Sequence, residues 1–305
     1  MLAFITSLRH PDNAQDYARN ERLLQETLDS IALQTSDEYV VVVVSNVPLS
    51  FPPPERVKSV VVDFAPPAPP GEHAAYPAFV WDKGTKMGIG LIAAREEKPD
   101  YVMIIDADDF VHRDLVAFTV QQAGSPGWYI PRGWRYSGAR NVFRSLRAFN
   151  LQCGSAYILP FAAYAVPDDA TVDLDQAAVF DVFGDLVATI LGSHMRVLQW
   201  AKRHGYPLVP LPFRGAVHHV DTGENHSGGT LRGVARTLTQ EMRQTYGIPA
   251  RSASPAPEID LRSVIQTPGA LGRNAYNFFQ RKVDALVTDD SPRFDLSSLR
   301  AQFEH

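Results

Sequence analysis

Apolar runs alternate with amphipathic stretches through the first hundred residues. Residues 2–5 are apolar and give way to Thr6, Ser7 and Arg9, the pattern of a buried strand ending in a polar loop. Over 17–34, Leu23, Leu24, Leu28, Ile31 and Ala32 recur at helical spacing. Residues 40–44 are an unbroken valine run, as a strand covered on both faces needs, and it closes on Ser45 and Asn46. Residues 57–63 repeat the strand signal, while the prolines of 52–54 and 65–71 can continue neither a helix nor a central strand. A second helix is predicted over 81–97, stopped by Lys98-Pro99-Asp100 ahead of an apolar strand at 101–105. Strands alternating with helices predict an α/β fold with a mostly parallel sheet flanked by helices. Ligands of such sheets sit beyond the carboxyl ends of the strands, where the pattern places Arg9, Asn46, Asp63 and Asp106 to Asp109.

Beyond residue 125 the pattern becomes aromatic and arginine-rich over 128–149, with a strand-like piece at 155–159. Helices are predicted over 175–191, 195–204 and 231–246, and a proline-limited edge strand over 206–211. A Ser/Pro/Ala segment at 251–257 reads as a linker to a helical C-terminal appendage. The expected organisation is therefore 1–125 as a nucleotide-binding half, 126–250 as an acceptor-side half of the same domain, and 251–305 as linker and tail.

Composition narrows the function. A net charge of -5 offers no field for nucleic acid. The single Cys153 cannot form an internal disulfide, which fits a reducing, cytoplasmic compartment. The opening apolar run is too short for a signal peptide or anchor, leaving peripheral membrane contact as the expected limit.

The densest chemistry is Ile105-Asp106-Ala107-Asp108-Asp109, where an apolar strand delivers three carboxylates into a short loop. Neighbouring carboxylates repel unless a cation or strong donors neutralise them. Mn²⁺ or Mg²⁺ takes oxygen ligands from one or two carboxylates plus a substrate's phosphates. An acidic turn capping the following helix is the other reading. Lys83 and Lys86 flank Gly84 within a short stretch suited to a phosphate, or are solvated surface charge. Gly154 allows a backbone to approach a ligand closely, or marks a bulge. His194 ahead of a helix suits a general base, or a cap; Asp181 and Asp185 on the preceding helix are the competing carboxylates. His218, His219 and His226 crowd a glycine-rich stretch without the spacing of a zinc site.

These pieces together resemble the GT-A glycosyltransferases, family 2 and its rhamnosyltransferase-like relatives, over residues 1–230. The matching segments are Thr6-Ser7-Leu8-Arg9, the helix ending in Gln34-Thr35, the strand closing on Asn46, Asp82-Lys83-Gly84-Thr85-Lys86, and the strand carrying Asp106 and Asp108. The resemblance implies the GT-A fold and transfer of a hexosyl group from a UDP-, GDP- or dTDP-sugar to a saccharide or glycoconjugate acceptor, as in surface polysaccharide synthesis. It implies that Thr6, Ser7, Arg9, Asn46, Asp63, Lys83, Lys86, Asp106, Ala107 and Gly154 bind the nucleotide-sugar. It implies that Asp106 and Asp108 form a DxD metal pair, with His226 as a further ligand. The sequence departs from the family at Ser45-Asn46, where an acidic pair is usual, and at Ser193-His194, where Glu-Asp usually supplies the base. His194 or Asp185 is then the catalytic candidate.

Two enzymes with related chemistry fit less well. A nucleotidyltransferase would carry a glycine-rich loop after the first strand, and 6–10 has none. A dehalogenase-like phosphatase would carry its Asp-x-Asp on the first strand. A non-catalytic carbohydrate-binding relative that keeps the fold is the alternative from another class.

Overall fold

The structure is a computed structural model that describes residues 1–224, 229–231 and 234–250. Its first layer is a seven-stranded sheet. Its parallel centre consists of β1 (Leu2–Ser7), β2 (Tyr39–Ser45), β3 (Val57–Val61) and β4 (Tyr101–Ile104), joined in the order β3-β2-β1-β4. Every residue of β2 is buried, the consequence of its valine run being covered on both faces. The crossovers are α1 (Tyr17–Ala32), between β1 and β2, and α2 (Tyr76–Ala94), between β3 and β4. Asp16 caps α1 by accepting from the Arg19 N–H, and the stripe Leu23, Leu24, Leu28 and Ile31 is its buried face. The second helix begins five residues before the predicted start, because Pro77 is accommodated in its first turn rather than breaking it.

After β4 the chain turns through the acidic loop into β5 (Phe110–Val111), then α3 (Leu115–Gln121) and β6 (Trp128–Tyr129). A hairpin of β7 (Arg132–Ser137) and β8 (Val142–Arg147) follows, then β9 (Tyr157–Pro160), α4 (Gln176–Phe183) and α5 (Val197–Arg203). The described chain closes with β10 (Val209–Pro210), β11 (Ala216–Val220), β12 (Arg236–Thr237) and α6 (Gln240–Tyr246).

β9 lies antiparallel between β4 and β6, and β10 adds at the edge, so both halves of the chain share one sheet. The second sheet has five strands in the order β12-β8-β7-β11-β5. The acidic loop therefore joins a strand of one sheet to a strand of the other. This α/β arrangement, a mostly parallel sheet flanked by helices with an acidic turn after the fourth strand, is the architecture that the sequence pattern implied.

Two predicted helices differ. The one expected over 175–191 stops at Phe183, because Gly184 takes a φ of +54°, and the chain resumes as a π-helical turn at Val187–Leu191. The one expected over 231–246 is reduced to α6, capped by Thr239, since Arg236 and Thr237 pair with β8 instead. The appendage at 251–305 lies outside the described residues. Among the described residues, no helix is long and apolar enough to cross a membrane.

Candidate active site

A cavity of about 260 Å³ opens at the carboxyl ends of β1 and β4. Ser7 lines it from the end of β1 and Arg9 from the turn after it, Tyr76 and Lys83 from α2, and Asp106, Ala107 and Asp108 from the acidic turn. Gly154, His194 and His218 close it from the second half of the chain. Eight of the predicted residues thus meet at one wall or another: Ser7, Arg9, Lys83, Asp106, Ala107, Asp108, Gly154 and His194.

The three carboxylates divide their work. Asp109 is fully buried and faces inward, accepting from Ser155 Oγ at 2.6 Å, Cys153 Sγ at 3.0 Å and the His219 N–H at 2.9 Å. Ser155 Oγ in turn accepts from the Asp106 N–H at 2.9 Å, so Asp109 anchors the turn that presents its neighbours. Burial and then the Asp106 charge push the Asp109 carboxyl up to about 7, against those donors. Burial also keeps the Cys153 thiol protonated, with Asp109 and Asp106 adding to the effect, which suits a donor and not a nucleophile. Asp106 forms an ion pair with Lys83. Burial alone would raise the Asp106 pKa, but the ammonium of Lys83 outweighs it and holds the carboxyl below its ordinary value. Asp108 is the opposite case, raised well above by burial and then by the charges of Asp109 and Asp106.

The two lysines also separate. Lys83 reaches the cavity, whereas Lys86 is fully buried, pairing with Asp82 at 2.8 Å and donating to the Leu8 carbonyl at 3.1 Å. Lys86 thus ties α2 to the end of β1 and does not line the cavity. Removing one partner of a buried pair strands the other charge. Lys86→Met is therefore expected to lower stability by about 3–5 kcal/mol in urea unfolding, with Lys83→Met costing far less.

Gly154 stands against the acidic turn so closely that a Cβ would lie 2.7 Å from Asp106 Oδ2. Gly154→Ala is expected to displace that carboxylate from its ion pair with Lys83 and to lower stability by about 1–3 kcal/mol in urea unfolding.

His194 is half-buried at the cavity wall, with one ring nitrogen engaged by the Leu151 backbone and its Nε2 atom buried without a partner. Burial lowers its pKa despite the nearby Asp106 carboxylate, so the ring is neutral at pH 7. His218, marked in the sequence only as part of a histidine-dense stretch, has its Nδ1 buried and unpartnered at the same wall. Burial and then Arg135 lower its pKa to about 4. The signal available in the sequence was the alternation of 216–220, which turns His218 to the face opposite Val217 and His219.

Other predicted residues lie elsewhere. Thr6 is buried within β1. Asn46 donates from Nδ2 to the Phe64 carbonyl at 3.0 Å, and Asp63 is exposed; neither lines the cavity. The proline-rich segment explains this, since Asn13 Nδ2 fastens it through the carbonyls of Ala68, Pro69 and Glu72, and its Pro67 forms the wall instead. Asp181 and Asp185 are exposed on the surface, away from the cavity lining. His226 lies outside the described residues. Glu224, missed from the sequence, accepts from the Asp16 N–H at 2.9 Å and pairs with Arg9 at 3.4 Å, joining the chain beyond β11 to the turn after β1.

No family model matches the chain, and no curated protein does. Among solved structures it is similar to TarS of S. aureus, at 12% identity and a TM-score of 0.41 over 72% of this chain and 36% of that one. It is similar to residues 1–349 of TarS in complex with UDP-GlcNAc, at 13% identity and a TM-score of 0.41 over 75% and 61%. It is also similar to a mannose-1-phosphate geranyltransferase from Thermus thermophilus, at 12% identity and a TM-score of 0.34 over 72% and 73%. The chain spans 36% to 61% of the length of these TarS structures.

Proposed function

We propose that this protein is a glycosyltransferase that moves a sugar from a nucleotide-diphosphate donor to an acceptor hydroxyl with the help of a divalent cation. The observation that carries the reading is the meeting, in one cavity, of the like-charged pair Asp106 and Asp108 with the half-buried, neutral His194.

A divalent cation fits the acidic turn. Asp108 is forced towards its protonated form by burial and then by two neighbouring carboxylates, a strain that a cation would relieve and a lone lysine does not. The oxygen-only donors suit Mn²⁺ or Mg²⁺. Asp106 and Asp108 would hold it together with the donor's phosphates. When bound, the ion would stabilise the negative charge that develops on the departing diphosphate.

The chain's own residues supply the rest. Lys83 carries a positive charge into the same wall, because its pairing with Asp106 outweighs burial and keeps it protonated. The Leu151 backbone holds the His194 ring so that Nε2 is left to accept a proton from the acceptor hydroxyl. As that proton leaves, the acceptor oxygen bonds to the anomeric carbon, and the bond from that carbon to the donor's phosphate oxygen breaks, its electron pair leaving with the diphosphate. Attack opposite the leaving group inverts the anomeric centre.

The test is release of nucleoside diphosphate from UDP-, GDP- and dTDP-sugars by the full chain, with and without Mn²⁺. Cation-dependent release from one of them supports the reading. Sugar binding without any turnover of donor would favour the non-catalytic alternative.

A further inference from the structure

The cavity has two chemically different ends. Asp82 and Lys83 both line it, and as consecutive residues of α2 their side chains leave the helix about 100° apart. Lys83 reaches the acidic turn, where it pairs with Asp106. Asp82 turns instead to the loop after β1. Lys86 Nζ ties it there, donating to Asp82 Oδ2 at 2.8 Å and to the Leu8 carbonyl at 3.1 Å.

At this second end, three cavity-lining side chains keep hydrogen-bonding atoms that the described chain does not engage. Asn13, Asn20 and Asp82 are only 4%, 7% and 6% exposed. Asp82 Oδ1 is buried with no partner. Asn13 Nδ2 is engaged by the proline-rich segment, but its Oδ1 is buried with no partner. The side-chain amide of Asn20, in the first turn of α1, bonds to none of the described residues. Buried acceptors left unpaired are destabilising, so a ligand that brings donors gains what the empty end lacks.

The inventory of atoms identifies that ligand. The Oδ1 atoms of Asp82, Asn13 and Asn20 accept, and Asn20 Nδ2 donates. Leu8, Leu23 and Pro67 also line the cavity from the loop after β1, from α1 one turn beyond Asn20 and from the segment fastened by Asn13, apolar surface suited to the face of a flat ring. Guanine presents N1–H and N2–H₂ beside the O6 acceptor along one edge. Uracil and thymine carry a lone N–H between two carbonyls, and cytosine and adenine carry an amino group beside ring acceptors. Each of these would set acceptor against acceptor here.

We propose that this end of the cavity reads a guanine base, with Asp82 and the two asparagines accepting its N–H groups and Asn20 Nδ2 donating to O6, so that the sugar donor is a GDP-sugar. That the ligand is a sugar donor rests on the glycosyl-transfer reading; the preference for guanine does not.

Calorimetric titration of the full chain with GDP, IDP, UDP and CDP in the presence of Mn²⁺ tests it, on wild type and Asn20→Ala. IDP differs from GDP by the missing N2 amino group. Wild type is expected to bind GDP about tenfold to a hundredfold more tightly than the other three, and Asn20→Ala to lose most of that preference by weakening GDP alone. UDP or CDP binding as tightly as GDP, a preference unchanged in Asn20→Ala, or no binding of any of the four overturns the assignment. 2′-Deoxy-GDP should bind nearly as tightly as GDP. Binding that ignores the base but is lost with the 2′-hydroxyl would put the ribose at these residues and overturn it too. Should Asn20→Ala fail to fold, the comparison of GDP with IDP on wild type decides. A guanine preference without turnover of any donor would keep the base site and remove the transferase, whereas turnover of a UDP-sugar would keep the transferase and remove the guanine assignment.

Discussion

Asp108→Asn is expected to lower kcat for sugar transfer by about 10²–10³, the scale seen when one preorganised electrostatic contact to a developing charge is removed. The same variant is expected to be at least as stable as wild type without metal, because the Asp108 carboxyl is held among two like charges. The pH dependence gives the sign. With folded pKa values raised above the ordinary aspartate value near 3.9, these two carboxyls keep protons in the folded chain that the unfolded chain has released. Their contribution to metal-free stability falls as pH rises from about 4 towards 7, where Asp109 titrates, while the depressed His218 and His194 act in the opposite sense, so wild type should lose stability relative to Asp108→Asn across that range. Urea unfolding across that range reads the slope, and kinetics read the rate. A stability loss equal to the activity loss would make Asp108 a structural residue.

The second large effect concerns His194. Its replacement by alanine is expected to lower kcat by about 10²–10⁴ while leaving donor KM nearly unchanged, the split of a group acting on the proton and not on donor binding. The imidazole must be neutral to act, and burial holds its pKa below the ordinary value. The wild-type rate should thus stay level as pH drops to about 6.5 and decline only beneath it. In His194→Ala that acidic decline should disappear from the residual rate. A variant that loses KM and kcat together, with its acid limb intact, would return the base to some other group.

The parallel centre of the sheet was legible because its signals are local. The valine run, the leucine stripe of α1 and the apolar strand ahead of Asp106 each state their environment within a few residues. The acidic turn was legible for the same reason. What sequence could not separate was the division of labour within it, since Asp109 is turned inward by Cys153, Ser155 and His219, residues 44 to 110 positions away. The lysines erred in an instructive direction. Asp82 and Lys86 stand four apart in a helix whose surroundings are almost wholly apolar, and that spacing was a readable sign of an internal pair. In the sequence the β7–β8 hairpin shows as little more than an aromatic, arginine-rich stretch, because its arginines break the apolar alternation by which strands announce themselves. Asp185 was a candidate only through its place before His194, and the break at Gly184 leaves it on the surface.

The most direct measurement is calorimetric binding of UDP-, GDP-, dTDP- and CMP-sugars to the full chain, with and without Mn²⁺, on wild type and Asp108→Asn. The account predicts that one nucleotide class binds wild type in a cation-dependent manner and that Asp108→Asn loses the cation dependence. Binding of none of the four, or binding indifferent to both Mn²⁺ and Asp108, would contradict it.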